Sequence, residues 1–198
     1  PNANSTGATA ASSRNKLTNQ ARKYLGEADE GVSYLPHAAA GYRLDPRVRS
    51  DWDFFQELVG TNPATASTTR LVAALRLVRG APFEGTKDKN YGWNETVREA
   101  MIDRICDSAH VLMKRALEAQ DQTLASLAAR VGRTVDPANE QMWRNEMLAE
   151  HLAGNVPGIE AAFQRLVAYL DSFGEDYEPE AETQALHERL THEHRVAS

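Results

Sequence analysis

The 198-residue chain has one cysteine, few aromatic residues (7%) and no long hydrophobic run. A single thiol, Cys106, excludes an intrachain disulfide framework and is typical of a reducing compartment. No segment approaches the ~20 apolar residues that a membrane-spanning helix needs. The opening residues, PNANSTGATAAS, lack the charged and apolar regions of a signal peptide. We therefore expect a cytoplasmic chain, and its 41% hydrophobic composition is sufficient for a buried core.

Motifs for catalysis and metal binding are also missing. The sequence contains no glycine-rich phosphate loop, no G-x-S-x-G and no HExxH, and no histidine adjoins Cys106. His187, His192 and His194 lack the cysteine or the ordered spacing that would complete a metal site, which favours a loose histidine tail. We expect no catalytic residue, no metal and no cofactor.

Charge is distributed unevenly along the chain, whose net charge is −6. Between residues 9 and 26 there are four basic residues and no acidic one, whereas residues 171–188 contain seven acidic residues and no lysine or arginine. Such asymmetry is typical of an element that faces a polyanion beside a separate acidic surface.

The basic segment, SSRNKLTNQARKYLG at residues 12–26, has helical periodicity. Leu17, Ala21, Tyr24 and Leu25 share one stripe. The opposite face is entirely polar and consists of Ser12, Asn15, Lys16, Asn19, Arg22 and Lys23. Amide side chains interleaved with lysine and arginine are typical of helices that read base edges and hold phosphates. An ordinary solvated face would have the same composition, so both interpretations stay open.

Two patterns predict the remaining elements. The segment SYLPHAAAGYRLDP, residues 33–46, has aromatic and aliphatic residues around a small-residue centre and predicts a short β-hairpin. From Asp51 onward helical periodicity dominates, and Asp136 before Pro137 predicts a capped helix start. The predicted helices lie near Asp51–Val59, Ala64–Arg79, Trp93–Ala119, Gln122–Val131, Pro137–Ala153, Gly158–Ser172 and Pro179–His192.

An internal repeat of 34 residues, the tetratricopeptide period, relates residues 106–139 to residues 140–173. Each helix pair in such a repeat leaves an apolar face that only a neighbouring pair can cover, which predicts a stack of pairs. The bulky residues Trp143, Phe163, Met113 and Met147 are then expected in the core.

The first helices of the two stacked repeats would line a groove, of the kind that binds peptides or partner domains. We predict that the partner-binding residues of this groove are His110, Lys114, Arg144 and His151. A solvated face remains the alternative for Lys114 and Arg144.

Three further segments carry a resemblance to a known family. They are W-D-x-F at residues 52–55, L-R-L-x-R-G-x-P-F at residues 75–83, and E-P-x-x-E-T-x-x-L-x-x-R-L at residues 178–190. Together with GYRLDPRVRSDWDFFQELV they resemble the bacterial transcriptional activator domain of the antibiotic regulatory proteins of actinobacteria. The N-terminal helix and hairpin resemble the recognition helix and wing of an OmpR-like winged helix.

The resemblance implies a mainly α fold: a tetratricopeptide-like α-superhelix preceded by a recognition-type helix and a short β-hairpin. It implies a disordered or linker segment at 1–11, a partial winged-helix element at 12–50, the activator domain at 51–192 and a tail at 193–198. The DNA-binding residues it implies are Asn15, Lys16, Asn19, Arg22 and Lys23 on the helix and Arg43 on the wing.

A complete winged helix needs strands and two more helices before the recognition helix, and residues 1–11 are too few to supply them. These elements would lie upstream, or the protein keeps only a remnant. The resemblance implies a transcription regulator that binds DNA if the winged helix is completed, with RNA polymerase, another regulator or a second copy of the chain as the protein partner. The alternative is an interaction scaffold without DNA binding, because similar modules occur in membrane-anchored proteins that carry a LysM repeat.

Overall fold

The prediction of a mainly α fold is confirmed in the part of the chain that the structure describes. The computed structural model describes residues 3–28, 31–36, 41–85, 94–174 and 177–196, with side chains from residue 12 to residue 193. The chain divides into two compact units, Pro1–Ser50 and Asp51–Ser198.

The helices are named here in chain order. They are α1 (Ala3–Leu25), α2 (Asp51–Val59), α3 (Thr68–Leu77), α4 (Glu95–Ala119), α5 (Gln122–Val135), α6 (Glu140–Leu152), α7 (Val156–Asp171) and α8 (Ala181–Val196), with a short 3-10 turn at Pro63–Thr65 between α2 and α3. The start predicted at Trp93 for α4 lies outside the described residues.

Side-chain caps fix several helix starts. Ser67 caps α3, Asp121 caps α5 and Asn155 caps α7, and each accepts a hydrogen bond from a backbone N–H of the first turn. The predicted start of α6 at Asp136 and Pro137 is wrong. The N–H of Asp136 still donates to Gly132 O at the end of α5 (3.0 Å), and Asn139 caps α6 instead.

The second unit is a stack of antiparallel helix pairs, since α4 packs on α5, α5 on α6, and α6 on α7. The first helices of successive pairs also touch: α4 contacts α6, and α6 contacts α8. The core positions predicted from the repeat are confirmed for Met113, Trp143 and Met147, which are at most 2% exposed. Phe163 is half-buried and packs against the cluster that contains Met147.

Two apolar clusters hold this stack together. The larger one runs from α2 to α6 around Phe55, Leu71, Leu75, Leu112 and Met142. The smaller one joins α6, α7 and α8 through Met147, Ile159, Ala162 and Leu190. Burial of this apolar surface is the main stabilising contribution to the unit.

Hydrogen bonds from arginine side chains to backbone carbonyls join the first elements of the stack. Arg70 and Arg104 donate to backbone carbonyls at the C-terminal end of α2, including Leu58 O at 2.8 Å from Arg70 Nε. Arg115 on α4 donates to Ala66 O (2.7 Å) and Ala64 O (2.8 Å). These bonds satisfy carbonyls that a helix end leaves without a partner.

The first unit differs from the prediction in two ways. Helix α1 begins at Ala3, inside the segment that was expected to be a disordered region or linker. Four of the first eleven residues are alanine, the strongest helix former. This composition explains why the helix extends toward the N-terminus as far as Ala3.

The predicted β-hairpin over residues 33–46 is not supported. The described residues of this unit contain one isolated bridge, Glu27 to Ser33, and no strand. A single backbone bond, from Asp45 N to Tyr34 O (2.8 Å), closes the loop. Pro36 and Pro46 offer no N–H to a ladder. The centre of the predicted hairpin, residues 37–40, lies outside the described residues.

Candidate functional site

The polar face of α1 is exposed in the structure. Lys16 and Lys23 project into solvent and form no hydrogen bond or ion pair with any described residue. They line a shallow depression of the first unit together with Asn19, Arg22 and Gly26. Two free ammonium groups on one helix face can neutralise phosphates of a nucleic acid.

Other predicted DNA-binding residues on α1 are held within the first unit. Arg22 donates from Nε to Leu35 O (2.7 Å) and from Nη1 to Asn19 Oδ1 (2.8 Å). Tyr42 donates from its hydroxyl to Asn15 Oδ1 (3.1 Å). These bonds tie α1 to the loop that follows it and occupy the amide oxygens that would otherwise face base edges.

Arg43 is exposed, next to Tyr42 in that loop. The loop is braced by Arg47, which bonds to both carboxylate oxygens of Asp45 (2.9 and 3.0 Å) and lies over the Tyr34 ring (5.4 Å). The hydrogen bonds from Arg47 lower the pKa of Asp45 to about 2.

The apolar stripe of α1 has little cover. Leu17 is 66% exposed and Tyr24 is 91% exposed, and Ala21 is also exposed, while Leu25 is half-buried. A row of exposed apolar side chains on one helix is typical of a surface that a further part of a protein covers.

The four residues predicted for the groove lie on α4 and α6 but have different surroundings. Lys114 is exposed. His110 is half-buried, and its Nδ1 lies 3.4 Å from Asn145 Oδ1 on α6. His151 Nε2 lies 3.7 Å from Glu193 Oε2 on α8. Their role in partner binding stays a prediction.

Arg144, the fourth, is only 8% exposed and is engaged by α8. Its Nη1 donates to Glu180 Oε2 and to Thr183 Oγ1, both at 2.7 Å, and Nη2 lies 3.7 Å from Glu182 Oε2. Arg144 therefore joins two helices of this chain. A cavity of about 360 Å³ remains beside it, between α6 and α8, with Leu148 and Leu186 on its walls.

Sequence reasoning missed several residues that dock α8. Both carboxylate oxygens of Glu140 accept from the Glu180 N–H (3.0 Å each). His187 stacks on Phe163 at 4.0 Å, and its Nε2 lies 2.8 Å from Glu160 Oε2, so it does not belong to a loose tail. The E-P-x-x-E-T motif contained part of the signal, because its Glu182 and Thr183 both meet Arg144, whereas Glu180, which lies closer, occupies a variable position of the motif.

The described residues contain no cluster of side chains that could hold a metal ion. Cys106 is buried, and desolvation, followed by nearby Asp136 and Asp103, raises the pKa of its thiol to about 12. Such a thiol is uncharged at neutral pH and a poor nucleophile. None of the helices in the described ranges is long and apolar enough to cross a bilayer.

Comparison with known protein families identifies a match for the second unit. The bacterial transcriptional activator domain matches residues 51–191, most of the chain. No curated protein and no solved structure matches the sequence. The family match agrees with the stacked helix pairs and, for these residues, confirms the resemblance to the bacterial transcriptional activator domain. The chain therefore belongs to the bacterial transcriptional activator domain family.

Proposed function

We propose that the chain is part of a transcription regulator in which the helical unit binds a protein partner and the first unit contacts DNA. The observation that carries the proposal is the family match at residues 51–191. Lys16 and Lys23 on α1, which are exposed and bonded to none of the described residues, support the DNA contact.

The DNA contact we propose is mainly to phosphates. Lys16 and Lys23 are free to bind them, and Arg43 is exposed in the following loop. Asn15 and Asn19 already accept hydrogen bonds within the unit, so they would contribute base contacts only by exchanging those partners. We expect salt-sensitive binding with modest sequence preference.

The protein partner we propose, RNA polymerase, another regulator or a second copy of the chain, would bind the side of the stack formed by α4, α6 and α8. Lys114 on α4 is exposed there, and the cavity between α6 and α8 offers Leu148 and Leu186 beside Gln141. Apolar side chains framed by polar ones are typical of such docking sites.

Fluorescence anisotropy with a mixed-sequence DNA duplex tests the DNA contact. We compare the chain with its Lys16→Gln/Lys23→Gln double variant across a series of salt concentrations. If both lysines bind phosphates, the double variant binds more weakly. The negative slope of log K against log salt then becomes shallower by about 2.

Arg76→Gln/Arg130→Gln is the matched control, because it removes the same charge from exposed residues of the helical unit. It should leave the salt slope unchanged. Equal affinity for all three proteins, or no binding at low salt, would contradict the proposal.

An interaction scaffold without DNA binding is the second candidate. It is favoured by the bonds that hold Asn15, Asn19 and Arg22 inside the first unit and by the lack of a β-ladder for a wing in its described residues. On this proposal no duplex binds the chain, while a protein partner still does. The anisotropy titration therefore separates the two candidates.

A further inference from the structure

A cavity of about 290 Å³ lies at the beginning of the helical unit, away from α8. Three separate elements enclose it: the first turns of α2, the loop that follows α3, and α4. Two of the sequence motifs, at residues 52–55 and 75–83, meet at this cavity. Its lining consists of Asp51, Trp52, Phe55, Leu77, Val78, Arg79, Gly80, Ala81, Pro82, Phe83, Met101 and Ile105.

The cavity has an aromatic and aliphatic floor. Trp52 stacks on Phe55, with ring centroids 5.1 Å apart and planes 15° apart. Phe55 is 1% exposed and Ile105 is 4% exposed, so both belong to the main core. Met101 on α4 is half-buried and lines the same cavity. The apolar ring of a ligand would leave water and contact these side chains, which favours its binding.

Phe83 forms part of the wall in an unusual backbone conformation. Its φ is 58°, in the left-handed region that bulky residues rarely adopt. Pro82, immediately before it, is buried and restricts the chain. A disfavoured conformation persists where the surrounding structure imposes it, and such residues concentrate at ligand sites.

Two charged residues border this apolar floor, and only one of them has a partner among the described residues. Asp51 lies in the first turn of α2, and its Oδ1 accepts from Trp52 N at 2.9 Å. The positive end of the helix dipole stabilises that carboxylate. Arg79 is exposed and forms no hydrogen bond or ion pair with any described residue. The cavity therefore combines an apolar floor with one guanidinium that no described residue pairs with.

We infer that this cavity binds a small amphipathic anion, an aromatic or branched aliphatic carboxylate, with its apolar part against Trp52 and Met101 and its carboxylate at Arg79. Arginine binds carboxylates through paired N–H donors. The size supports a free small molecule, because ~300 Å³ is the lower end of the range for ligand pockets. The inference does not depend on the DNA contact or the protein partner proposed above.

Isothermal titration with 2-naphthoate, and with the uncharged 2-naphthamide, tests the site in the full chain. The native protein should bind naphthoate more tightly than naphthamide. Arg79→Gln should weaken naphthoate binding by about threefold to fivefold, as for an exposed ion pair, and should leave naphthamide binding unchanged. Arg76→Gln, which removes an equally exposed arginine outside the cavity, should alter neither affinity.

A second variant tests the cavity itself. Met101→Trp places a larger ring in the opening and should abolish binding of both compounds, while far-ultraviolet circular dichroism confirms that the helices are retained. Unchanged naphthoate binding in Met101→Trp, or an equal response of naphthoate to Arg79→Gln and Arg76→Gln, would overturn the site. So would tighter binding of N-acetylphenylalaninamide than of naphthoate, because a partner's side chain would then be the better occupant.

Discussion

Arg144 shows that the burial and bonding of one side chain depend on residues far away in the sequence. Its position on α6 predicts a groove residue, yet Arg144 is only 8% exposed, and its guanidinium bonds to Thr183 on α8 and to Glu180 just before that helix. A buried guanidinium needs such partners, because removing it from water is costly. The sequence predicted that Arg144 binds a partner protein, but in the structure its charge stabilises the docking of α8.

Thr183→Val should destabilise the helical unit by about 1–3 kcal/mol, because it leaves the buried Arg144 Nη1 without one acceptor. Urea unfolding followed by circular dichroism measures the change. Thr191→Val is the matched control on the same helix, since the Thr191 hydroxyl bonds only to carbonyls of its own helix at His187 and Glu188. Equal effects of the two substitutions would contradict this role of Thr183.

His110 should make the unit less stable in acid. Burial lowers its pKa, against a raising effect of the Asn145 hydrogen bond. A lowered pKa contributes stability that is fully present above the unfolded value of about 6.5 and is lost as pH falls through the folded value. His110→Gln retains a donor for Asn145 and should lose less unfolding free energy between pH 7 and pH 5 than the native chain.

His192→Gln serves as the reference for that experiment, because His192 is exposed on α8. It should follow the native pH dependence between pH 7 and pH 5. If His110→Gln lost as much stability as the native chain over this range, another group would be responsible.

At the scale of elements, the packing of α5 depends on a small residue. Gly132 is buried in α5 where α4 and α6 approach it. A Cβ at this position would overlap Met142 Sδ on α6 and would lie 3.5 Å from Ala109 Cβ on α4. Glycine is unfavourable inside a helix by about 1 kcal/mol relative to alanine, so close packing explains its place here.

Gly132→Ala should therefore destabilise the unit by about 1–3 kcal/mol, although alanine is the better helix former. The double variant with Met142→Ala provides the control. In the Met142→Ala background the clash is absent, and adding Gly132→Ala should be neutral or stabilising. Chemical unfolding of the four proteins gives the coupling energy, and an additive result would show that Met142 is not the obstacle.

At the scale of the whole molecule, the two units have unequal cores. Both apolar clusters consist of residues from the second unit. Among the described residues, the first unit buries Ala28 and Leu35 but leaves Leu17 and Tyr24 largely exposed. A segment of about 50 residues with so little buried surface has little stability of its own.

A fragment of residues 51–198 should consequently unfold in one cooperative transition, with retained helix content. A fragment of residues 1–50 should melt gradually, without a cooperative step. Thermal melts followed by circular dichroism measure both. Loss of cooperativity in the larger fragment would mean that its core is incomplete without the first unit.

Several features could be read from the sequence because their causes are local. Asp51–Val59 was predicted at its observed bounds, and the 34-residue repeat placed Met113, Trp143 and Met147 correctly in the core. The basic face of α1 follows from periodicity alone. The β-hairpin is not supported by the described residues, because its aromatic and aliphatic pattern did not outweigh Pro36 and Pro46, which cannot donate to a ladder.

The sequence by itself determined the helical class and the stacking of pairs, since helix periodicity and repeat length are set by nearby residues. The family followed from the three motif segments at residues 52–55, 75–83 and 178–190. Only the tertiary structure decided which charged groups are paired and which are free. Arg144 meets Glu180 across 36 residues, while Arg79 has no partner among the described residues. Pairing depends on distances between elements, and no local pattern encodes those distances.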